Sequence, residues 1–434
     1  MTIPLRVPIS VVCPAHPVDE YEAPKLKRPY FTQLMCWLAQ PQYLLALNDS
    51  PSLMLFDKSD LATPVRSLPT EQRITAITNI NEPQLAIAGT SEGGYVSLWD
   101  PRASAAEGMR MQGPSGAPYL SLAASGTQLA VGTGLLDVDA MIDLWDLRKP
   151  SAPIWTYGDV HSDDIMTLAY HPDTARHANI LLSGGMDGLV STIDTTIEKE
   201  EDAVISVGNT DSSLACVGWA NYPAGYVYTP TVQATDVGMS AEDTLLSTDP
   251  RRTHFGPVFA VSHMQTLSLW DADKFDCLVR DIEVRGPTSY KPEWATDYVV
   301  DASTSLPVAE PPAPDAIAVP MLVGDQEGGV ALVSAQASLG APTELAWTLE
   351  ARLPSITTGP RGHADIVRSV AWDAAHRRLY TGGEDGKILA WAMDGSVANA
   401  VPSMPDAPDH APTRQLHGRQ LASSGAKPRF SPYR

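Results

Sequence analysis

A short hairpin signature occurs twice in this chain and constrains its fold more than any other feature. Residues 180–194 read Ile-Leu-Leu-Ser-Gly-Gly-Met-Asp-Gly-Leu-Val-Ser-Thr-Ile-Asp, and residues 379–392 read Leu-Tyr-Thr-Gly-Gly-Glu-Asp-Gly-Lys-Ile-Leu-Ala-Trp-Ala. In both, a hydrophobic run meets an Asp-Gly turn and continues as a second run, which predicts two β-strands joined by a tight turn. The turn Asp precedes the end of the second strand by the same interval in each copy. This shared register predicts a repeated structural unit.

Similar strand ends recur along the chain. They are Phe56-Asp57, Trp99-Asp100, Trp145-Asp146, Ile193-Asp194, Trp270-Asp271, Val333-Ser334 and Trp391-Ala392. The first four ends are roughly 45 residues apart, the period of a four-stranded WD40 propeller blade. Longer spacings later in the chain predict loop insertions around residues 222–257 and 286–316, and they leave the blade boundaries between 195 and 335 open. Seven such units predict an all-β, seven-bladed β-propeller over residues 1–394.

The two ends of the chain are expected to differ in role. The apolar run at residues 7–12 is predicted to supply the outer strand of the last blade and so to close the ring. Residues 395–434 are rich in Pro and Ser, and their last part is basic, which predicts a disordered tail. Its residues Arg429, Phe430 and Tyr433 are candidates for contact with a partner protein or RNA. The alternative interpretation is a solvated tail.

Composition narrows the classes of function. The chain has 51 acidic and 30 basic residues and a formal charge of −21. Such a body repels phosphate, so nucleic acid is not expected as a partner except through the tail, whereas basic proteins are compatible with it. The four Cys residues are scattered without a Cys-x-x-Cys motif, and no apolar run reaches the length of a membrane helix. We expect a cytoplasmic or nuclear location, with no disulfide framework and no metal.

The unit endings resemble WD40 repeats. In that family an Asp in the turn between the second and third strands bonds a His, a Ser or Thr of the second strand and a Trp of the third. The matching residues of blade seven are His363, Thr381, Asp385 and Trp391. Those of blade four are His161, Ser183 and Asp187, with Ile193 in place of the Trp. The resemblance implies a structural role for both sets. Other blades depart from it, with Gly93, Met264 and Glu327 at the Asp position.

A longer ordered string resembles the WD repeat-containing protein 89 family. It comprises His161-Ser162-Asp163-Asp164-Ile165, His171-Pro172 and the segment 183–190, followed by Glu201-Asp202-Ala203-Val204-Ile205. The resemblance implies an intracellular propeller that has no enzymatic activity and uses no cofactor. It brings no specific molecular role with it.

Two motifs invite a chemical interpretation that their context disfavours. Residues 89–93 fit the Gly-x-Ser-x-Gly pattern of hydrolases, but that motif needs a strand-to-helix turn, and here the sequence continues into a predicted strand. Asp137, Asp139 and Asp143 are close in sequence, yet they lack the Gly and distal Glu of a calcium-binding loop. An acidic loop beside a strand at residues 141–145 is the favoured interpretation, and no catalytic residue is predicted.

Two consecutive blades end in Trp-Asp-x-Arg. The segments Trp99-Asp100-Pro101-Arg102 and Trp145-Asp146-Leu147-Arg148 resemble the endings of substrate receptors of cullin-4 ubiquitin ligases, in which this Arg contacts the damaged-DNA-binding adaptor. Arg102 and Arg148 are therefore candidate partner-binding residues; alternatively, the Arg closes its own blade by bonding nearby backbone. The favoured hypothesis is a non-catalytic scaffold for protein–protein interactions. The alternatives are a ligase receptor and a ribosome-assembly or nuclear factor that uses the basic tail.

Overall fold

The computed structural model describes residues 17–22, 30–80, 87–99, 108–222, 254–285, 296–308, 316–338, 341–359 and 361–393. These residues form 28 β-strands in seven four-stranded antiparallel sheets, together with two one-turn helices. The predicted all-β, seven-bladed propeller is therefore confirmed. The residues after 393 lie outside the described part, and so does the predicted disordered tail.

Each sheet is one blade, and all but the last are built from consecutive strands. The first strand of the described chain is β1 (Pro17–Glu22). Blade one contains β2 (Phe31–Cys36), β3 (Tyr43–Asn48), β4 (Ser52–Asp57) and β5 (Arg66–Pro69). Blade two contains β6 (Ile74–Asn79), β7 (Ile87–Ser91), β8 (Tyr95–Trp99) and β9 (Met109–Gln112). Blade three contains β10 (Tyr119–Ser125), β11 (Gln128–Thr133), β12 (Ala140–Asp146) and β13 (Trp155–His161).

Blade four is the one that includes both helices. It contains β14 (Ile165–Tyr170), α1 (Thr174–His177), β15 (Ile180–Gly185), β16 (Leu189–Asp194), α2 (Glu200–Ala203) and β17 (Val204–Asn209). Blade five contains β18 (Leu214–Trp219), β19 (Pro257–Ser262), β20 (Thr266–Asp271) and β21 (Cys277–Glu283). Blade six contains β22 (Tyr298–Ala302), β23 (Ala316–Gly324), β24 (Val330–Ser338) and β25 (Ala341–Leu353). Blade seven contains β26 (Val367–Asp373), β27 (Arg378–Gly383), β28 (Lys387–Ala392) and β1.

The first strands of the seven blades surround the axis of the ring. Strand β26 contacts β2, which contacts β6, and the same contact continues through β10, β14, β18 and β22 back to β26. Apolar clusters fill the spaces between neighbouring blades, as where Leu353 and Val367 pack with Trp391. Each sheet thus buries both faces, which a single blade cannot do alone. The fourth strands consequently form the outside of the ring.

The antiparallel order creates two rims with different loops. The first rim carries the turns between second and third strands and the loops that lead from one blade to the next. The second rim carries the turns between first and second strands and those between third and fourth strands. Both hairpin signatures found in the sequence place their Asp-Gly turns on the first rim, at Asp187 and Asp385.

The ring is closed by β1, which pairs with β28 in the register Glu20↔Leu389 and Tyr21↔Ile388. The sequence placed this closing strand at residues 7–12, which lie outside the described residues; the position beside β28 belongs to Pro17–Glu22. An outermost strand exposes every second side chain, so Glu20 and Glu22 alternate with the buried Tyr21. Apolar character therefore does not identify the strand that closes the ring.

Side chains of blades one and seven reinforce this closure. Lys58 Nζ lies 2.8 Å from Asp373 Oδ2, and both side chains are buried. Burial opposes ionisation of Asp373, but the hydrogen bonds from Lys58 and His376 outweigh it and lower the pKa of that carboxyl. Removal of either partner alone would leave an unpaired buried charge, so both residues are needed at this contact between blades one and seven.

Blade six corrects the predicted strand ends at one place. The predicted end Val333-Ser334 lies inside β24, which continues to Ser338 and pairs with β23 over its whole length. No Gly, Asn or Asp follows Ser334 to end the strand, because the next residues are Ala335, Gln336 and Ala337. A prediction based on the average length of a blade therefore ended this strand too early.

Candidate functional site

Blade seven contains a four-residue hydrogen-bonded chain beneath the first rim. The indole Nε1 of Trp391 donates to Thr381 Oγ1 at 2.8 Å, and Thr381 Oγ1 lies 2.8 Å from His363 Nε2. His363 Nδ1 lies 3.1 Å from Asp385 Oδ1. Because the Trp can only donate and the carboxylate can only accept, the order of bonds assigns the imidazole proton to Nδ1. All four side chains are buried.

Blade four brings its three matching residues together in the same way. His161 Nδ1 lies 3.2 Å from both carboxylate oxygens of Asp187, and His161 Nε2 lies 2.9 Å from Ser183 Oγ. The backbone N–H groups of Ser162 and Leu189 donate to Asp187 as well. Ile193 occupies the position of the Trp, so this network ends at the hydroxyl of Ser183.

The two turn carboxylates stay ionised in spite of their burial. Burial alone would raise the pKa of Asp385, but hydrogen bonds from His363 and from the backbone of Ala364 and Lys387 lower it below its ordinary value. The same balance lowers the pKa of Asp187. Each carboxylate thus fixes its turn and the entering loop, which is a structural task.

Blades two, three and five keep the Trp without a Ser or Thr at the position of Thr381, which Val131 takes in blade three. In blade two the position of Thr381 is taken by Gly89, where an added Cβ would lie 2.6 Å from Trp99 Cζ3. In blade five it is taken by Ala260. Within the described residues the indole nitrogens of Trp99 and Trp270 have no hydrogen-bond partner. Blades two and five depend on packing where blade seven has a polar network.

Blade three buries the carboxylate of Asp143, which lies within the strand that the sequence predicted at residues 141–145. Asp143 belongs to β12, and its carboxylate accepts hydrogen bonds from Tyr119 Oη and, at 2.5 Å, from Thr156 Oγ1. Burial raises the pKa of Asp143 against these hydrogen bonds. The partners lie in three different strands of the blade, which is why residue spacing gave no signal for this network.

Blade five buries a second carboxyl with incomplete hydrogen bonding. Asp271 is 1% exposed, and its Oδ1 atom has no partner among the described residues. Burial, together with the charge of Asp273, raises the pKa of Asp271 to about 7. This is the Asp of the Trp-Asp dipeptide that marked the strand end in the sequence.

Among the described residues of the first rim, several exposed apolar side chains occur together in the turn between β11 and β12. Leu135, Leu136 and Val138 are 42%, 38% and 74% exposed. Met264 and Ile356 are exposed on other loops of this rim, whereas Leu38, Val65 and Ile154 lie on loops of the second rim. Consecutive exposed apolar side chains on one turn are a mark of a contact surface, unlike single ones.

Of the two Arg residues predicted to contact a ligase adaptor, Arg148 is among the described residues and Arg102 is not. Arg148 is exposed on the second rim and pairs with Asp146 of its own turn, with Nη2 2.7 Å from Oδ2 and Nε 2.9 Å from Oδ1. Its guanidinium therefore already makes the two-pronged carboxylate contact that a partner would offer. Arg102 lies outside the described residues, and so do Arg429, Phe430 and Tyr433.

The motifs weighed for catalysis and metal binding take structural positions. Ser91 is fully buried at the end of β7, where its Oγ accepts from the backbone N–H of Gly93. Among the residues that the structure describes, no three His, Cys, Asp or Glu side chains are grouped to hold a metal ion. The two helices of the described residues are each one turn long and too short to span a membrane.

Comparison with known proteins identifies the repeat. The family described as WD domain, G-beta repeat matches residues 152–194 and 354–392, which are the hairpins of blades four and seven with the strands or loops before them. An uncharacterized WD repeat-containing protein of Schizosaccharomyces pombe is 26% identical over 345 residues, which cover 78% of this chain and 88% of the relative. The WD repeat-containing protein 89 homolog of Dictyostelium discoideum is 22% identical over 368 residues, 83% of each chain. The resemblance found in the sequence is thus confirmed.

A solved structure shares the fold at low sequence identity. A chain in the crystal structure of a mitotic checkpoint complex superposes with a TM-score of 0.58 at 14% identity. The match covers 90% of this chain and 96% of the other. At this identity the likeness concerns the propeller alone. The names of the sequence relatives state no enzymatic activity.

Proposed function

We propose that this WD40-repeat propeller is a non-catalytic scaffold of the cytoplasm or nucleus that binds other proteins through its first rim. The observation that carries the proposal is the blade-three turn, residues 134–139, which presents three apolar side chains to solvent. Loops held by a rigid sheet framework are the usual place for binding residues. The WD40 repeat itself supports a role in protein interaction.

The blade-three turn is held in one shape. Leu136 and Asp139 exchange backbone hydrogen bonds, and Asp137 between them takes a positive φ of 61°. The backbone N–H of Leu135 donates to Asp164 Oδ1 at 2.7 Å, which ties the turn to the loop entering blade four. A preformed apolar tip loses little conformational entropy when a partner covers it.

Charge around the blade-three turn selects the kind of partner. Asp137 and Asp139 belong to the turn, and Asp163 and Asp164 lie in the loop beside it. A partner that places apolar side chains on Leu135 and Val138 and basic side chains around them is complementary to this surface. An acidic partner would meet like charges.

The proposal can be tested with matched aspartate substitutions. Leu135→Asp combined with Val138→Asp places two charges at the apolar tip, whereas Val65→Asp charges an exposed valine on the second rim. Partners recovered with the wild-type chain, identified by quantitative mass spectrometry, should be lost with the double variant and kept with the control. If both variants recover the partners equally and keep their thermal stability, the first rim is not the surface that binds them.

The two finer alternatives receive less support. The pairing of Arg148 with Asp146 favours its role in closing its own turn over binding to a ligase adaptor. The ribosome-assembly and nuclear alternatives depend on the basic tail beyond residue 410, which lies outside the described residues. Arg102→Ala with Arg148→Ala tests the first alternative by adaptor recovery, and truncation before residue 411 tests the second.

A further inference from the structure

The outermost strands of the blades are not equivalent. At exposed positions most of them carry polar or charged residues, or small ones. These positions are Glu20 and Glu22 in β1, Ser67 and Pro69 in β5, Arg110 and Gln112 in β9, Thr156 and Asp159 in β13, and Cys277, Arg280, Asp281 and Glu283 in β21. Strand β17 instead exposes Ile205 and Val207, at 40% and 50%. Among the outer-strand side chains that the structure describes, these two are the exposed branched aliphatics.

The two exposed residues share one face of β17. The other face packs on blade five, where Ser206 Oγ donates to the carbonyl of Ala272 at 2.7 Å and Gly208 lies against the ring of Phe275. Successive side chains of a strand alternate between faces, so Ile205 and Val207 form a continuous apolar row beside the unpaired edge. Within the described residues, β16 is the one strand that pairs with β17.

The start of β17 is fixed to the neighbouring blade. The two carboxylate oxygens of Glu200, in α2, accept hydrogen bonds of 2.8 Å from the backbone N–H groups of Gly158 and Asp159. Ala203, at the end of α2, is buried. The strand edge is therefore presented in a defined position and needs no rearrangement before it binds.

Natural proteins usually protect a strand edge by a charge, a proline or a bulge at the exposed positions. The exposed side chains of β17 include neither a charge nor a proline, although the strand has a bulge at Ile205 in its pairing with β16 and acidic residues lie around it. Glu198, Glu201, Asp202 and Asp159 are exposed close to it in sequence or on β13 of the neighbouring blade, and Lys199 is an exposed basic residue among them. The surface thus combines an open edge, an apolar row and a negative border.

We propose that β17 is a docking site for an extended, basic segment of another protein, which adds as a fifth strand to blade four. Backbone hydrogen bonds would hold the segment, and its alternate apolar side chains would cover Ile205 and Val207. Lys or Arg residues of the segment would face the acidic border. This surface is separate from the first rim, so each of the two binding sites is testable alone.

The charge of the chain argues against a second copy and against nucleic acid as occupants. A second copy would bring the same acidic border against its own, and the net charge of −21 adds long-range repulsion. Nucleic acid would bring phosphates to the same border. An extended basic polypeptide is the partner that fits both the edge and the charge.

The proposal is tested with the full chain and a synthetic peptide in which Lys and Val alternate. Fluorescence anisotropy measures its binding, and hydrogen exchange of the backbone amides locates it. Matched probes are a peptide of the same composition with all Val residues first, and an alternating peptide of Glu and Val. We expect the alternating basic peptide to bind most tightly, to slow exchange at residues 204–209 and to weaken with added salt.

Matched variants separate this site from others. Ile205→Lys with Val207→Lys should reduce peptide affinity at least about tenfold, because the added charges repel the peptide and remove the apolar row. Val65→Lys, at an exposed valine outside the outer strands, should leave the affinity unchanged. All three substituted side chains are exposed, so folding is expected to persist, and thermal unfolding of each variant verifies it.

Three results would overturn the proposal. One is equal binding by the double variant and the control, and another is slowed exchange confined to other strands. The third is a dimer in sedimentation velocity that disappears with the double variant, because it would assign the edge to a second copy of the chain.

Discussion

Blades seven and five have nearly the same strand pattern, but they differ in how their buried polar groups are hydrogen-bonded. In blade seven the Trp391 indole, the Thr381 hydroxyl, the His363 imidazole and the Asp385 carboxylate form one connected chain. In blade five Ala260 supplies no hydroxyl, and among the described residues neither the Trp270 indole nitrogen nor Oδ1 of the buried Asp271 has a hydrogen-bond partner. The pKa of Asp385 is lowered, whereas that of Asp271 is raised to about 7.

Asp271 is not the counterpart of Asp385, because Met264 takes the turn position in blade five and Asp271 follows Trp270 at the end of its strand. A Trp-Asp dipeptide at a strand end therefore does not by itself indicate a stabilising network. Burial acts on both carboxyls and disfavours their ionised forms. What separates them is the number of donors: Asp385 has an imidazole and two backbone amides, whereas Asp271 has backbone amides and the neighbouring charge of Asp273. The two blades should therefore respond with opposite signs when their carboxyls are replaced.

The largest effect is expected from Asp385→Ala. The substitution leaves His363 and the backbone N–H groups of Ala364 and Lys387 without their acceptor in a buried site. We expect a loss of about 3–5 kcal/mol in the free energy of unfolding, as for other buried pairs that lose one partner. Urea unfolding followed by tryptophan fluorescence measures it. Asp365→Ala, at an exposed carboxylate of the neighbouring loop, is the control, and similar losses in both variants would contradict the network.

A gain of stability is expected from Asp271→Asn in blade five. The folded-state pKa of Asp271 is about 7, above the unfolded value of about 4, so the folded chain keeps a proton that the unfolded chain releases. Stability contributed by this group therefore falls as the pH rises from about 4 to 7. Asn does not ionise, so its contribution to stability does not fall with pH. From pH 5 to pH 8 the free energy of unfolding of the variant should therefore gain on the order of 2 kcal/mol relative to that of the wild type.

The measurement for Asp271→Asn is urea unfolding of both chains at the two pH values. Asp202→Asn, at an exposed carboxylate, serves as the control and should show no pH-dependent difference. A constant difference between Asp271→Asn and wild type across this pH range would show that Asp271 does not titrate in it.

Removal of the network hydroxyl should cost more stability in blade seven than in blade four. Thr381→Val keeps the shape of the side chain but leaves both the Trp391 indole and the His363 Nε2 atom unpaired, whereas Ser183→Ala affects His161 alone. We expect losses of about 2 and about 1 kcal/mol in the free energy of unfolding. In a Trp391→Phe background the loss from Thr381→Val should decrease toward that of Ser183→Ala. An undiminished loss would exclude coupling through the indole.

The repeat and its first-rim turns were accessible from the sequence because their causes are local. An Asp-Gly turn between two strands needs residues that are adjacent in the chain, and the hairpins 180–194 and 379–392 contain all of them. The same hairpins, with one upstream His each, brought together His161 with Asp187 and His363 with Asp385. The apolar periodicity of the remaining strands was enough to count seven blades.

The closing strand, the titrating Asp271 and the open edge of β17 depended on the tertiary structure. Pro17–Glu22 becomes the outer strand of blade seven through pairing with residues more than three hundred positions away, and its own composition is mostly polar. Asp271 and Asp385 are both acidic residues in hairpins, and their protonation differs because the fold supplies different donors to each.

The sequence by itself determined a ring of repeated hairpins, since hydrophobic alternation and turn chemistry act between near neighbours. The tertiary structure decided which strand closes that ring, which buried carboxyl keeps its proton and which outer strand leaves apolar side chains in solvent. Those properties arise from burial and donor geometry, and the folded chain sets both through contacts between residues far apart in sequence.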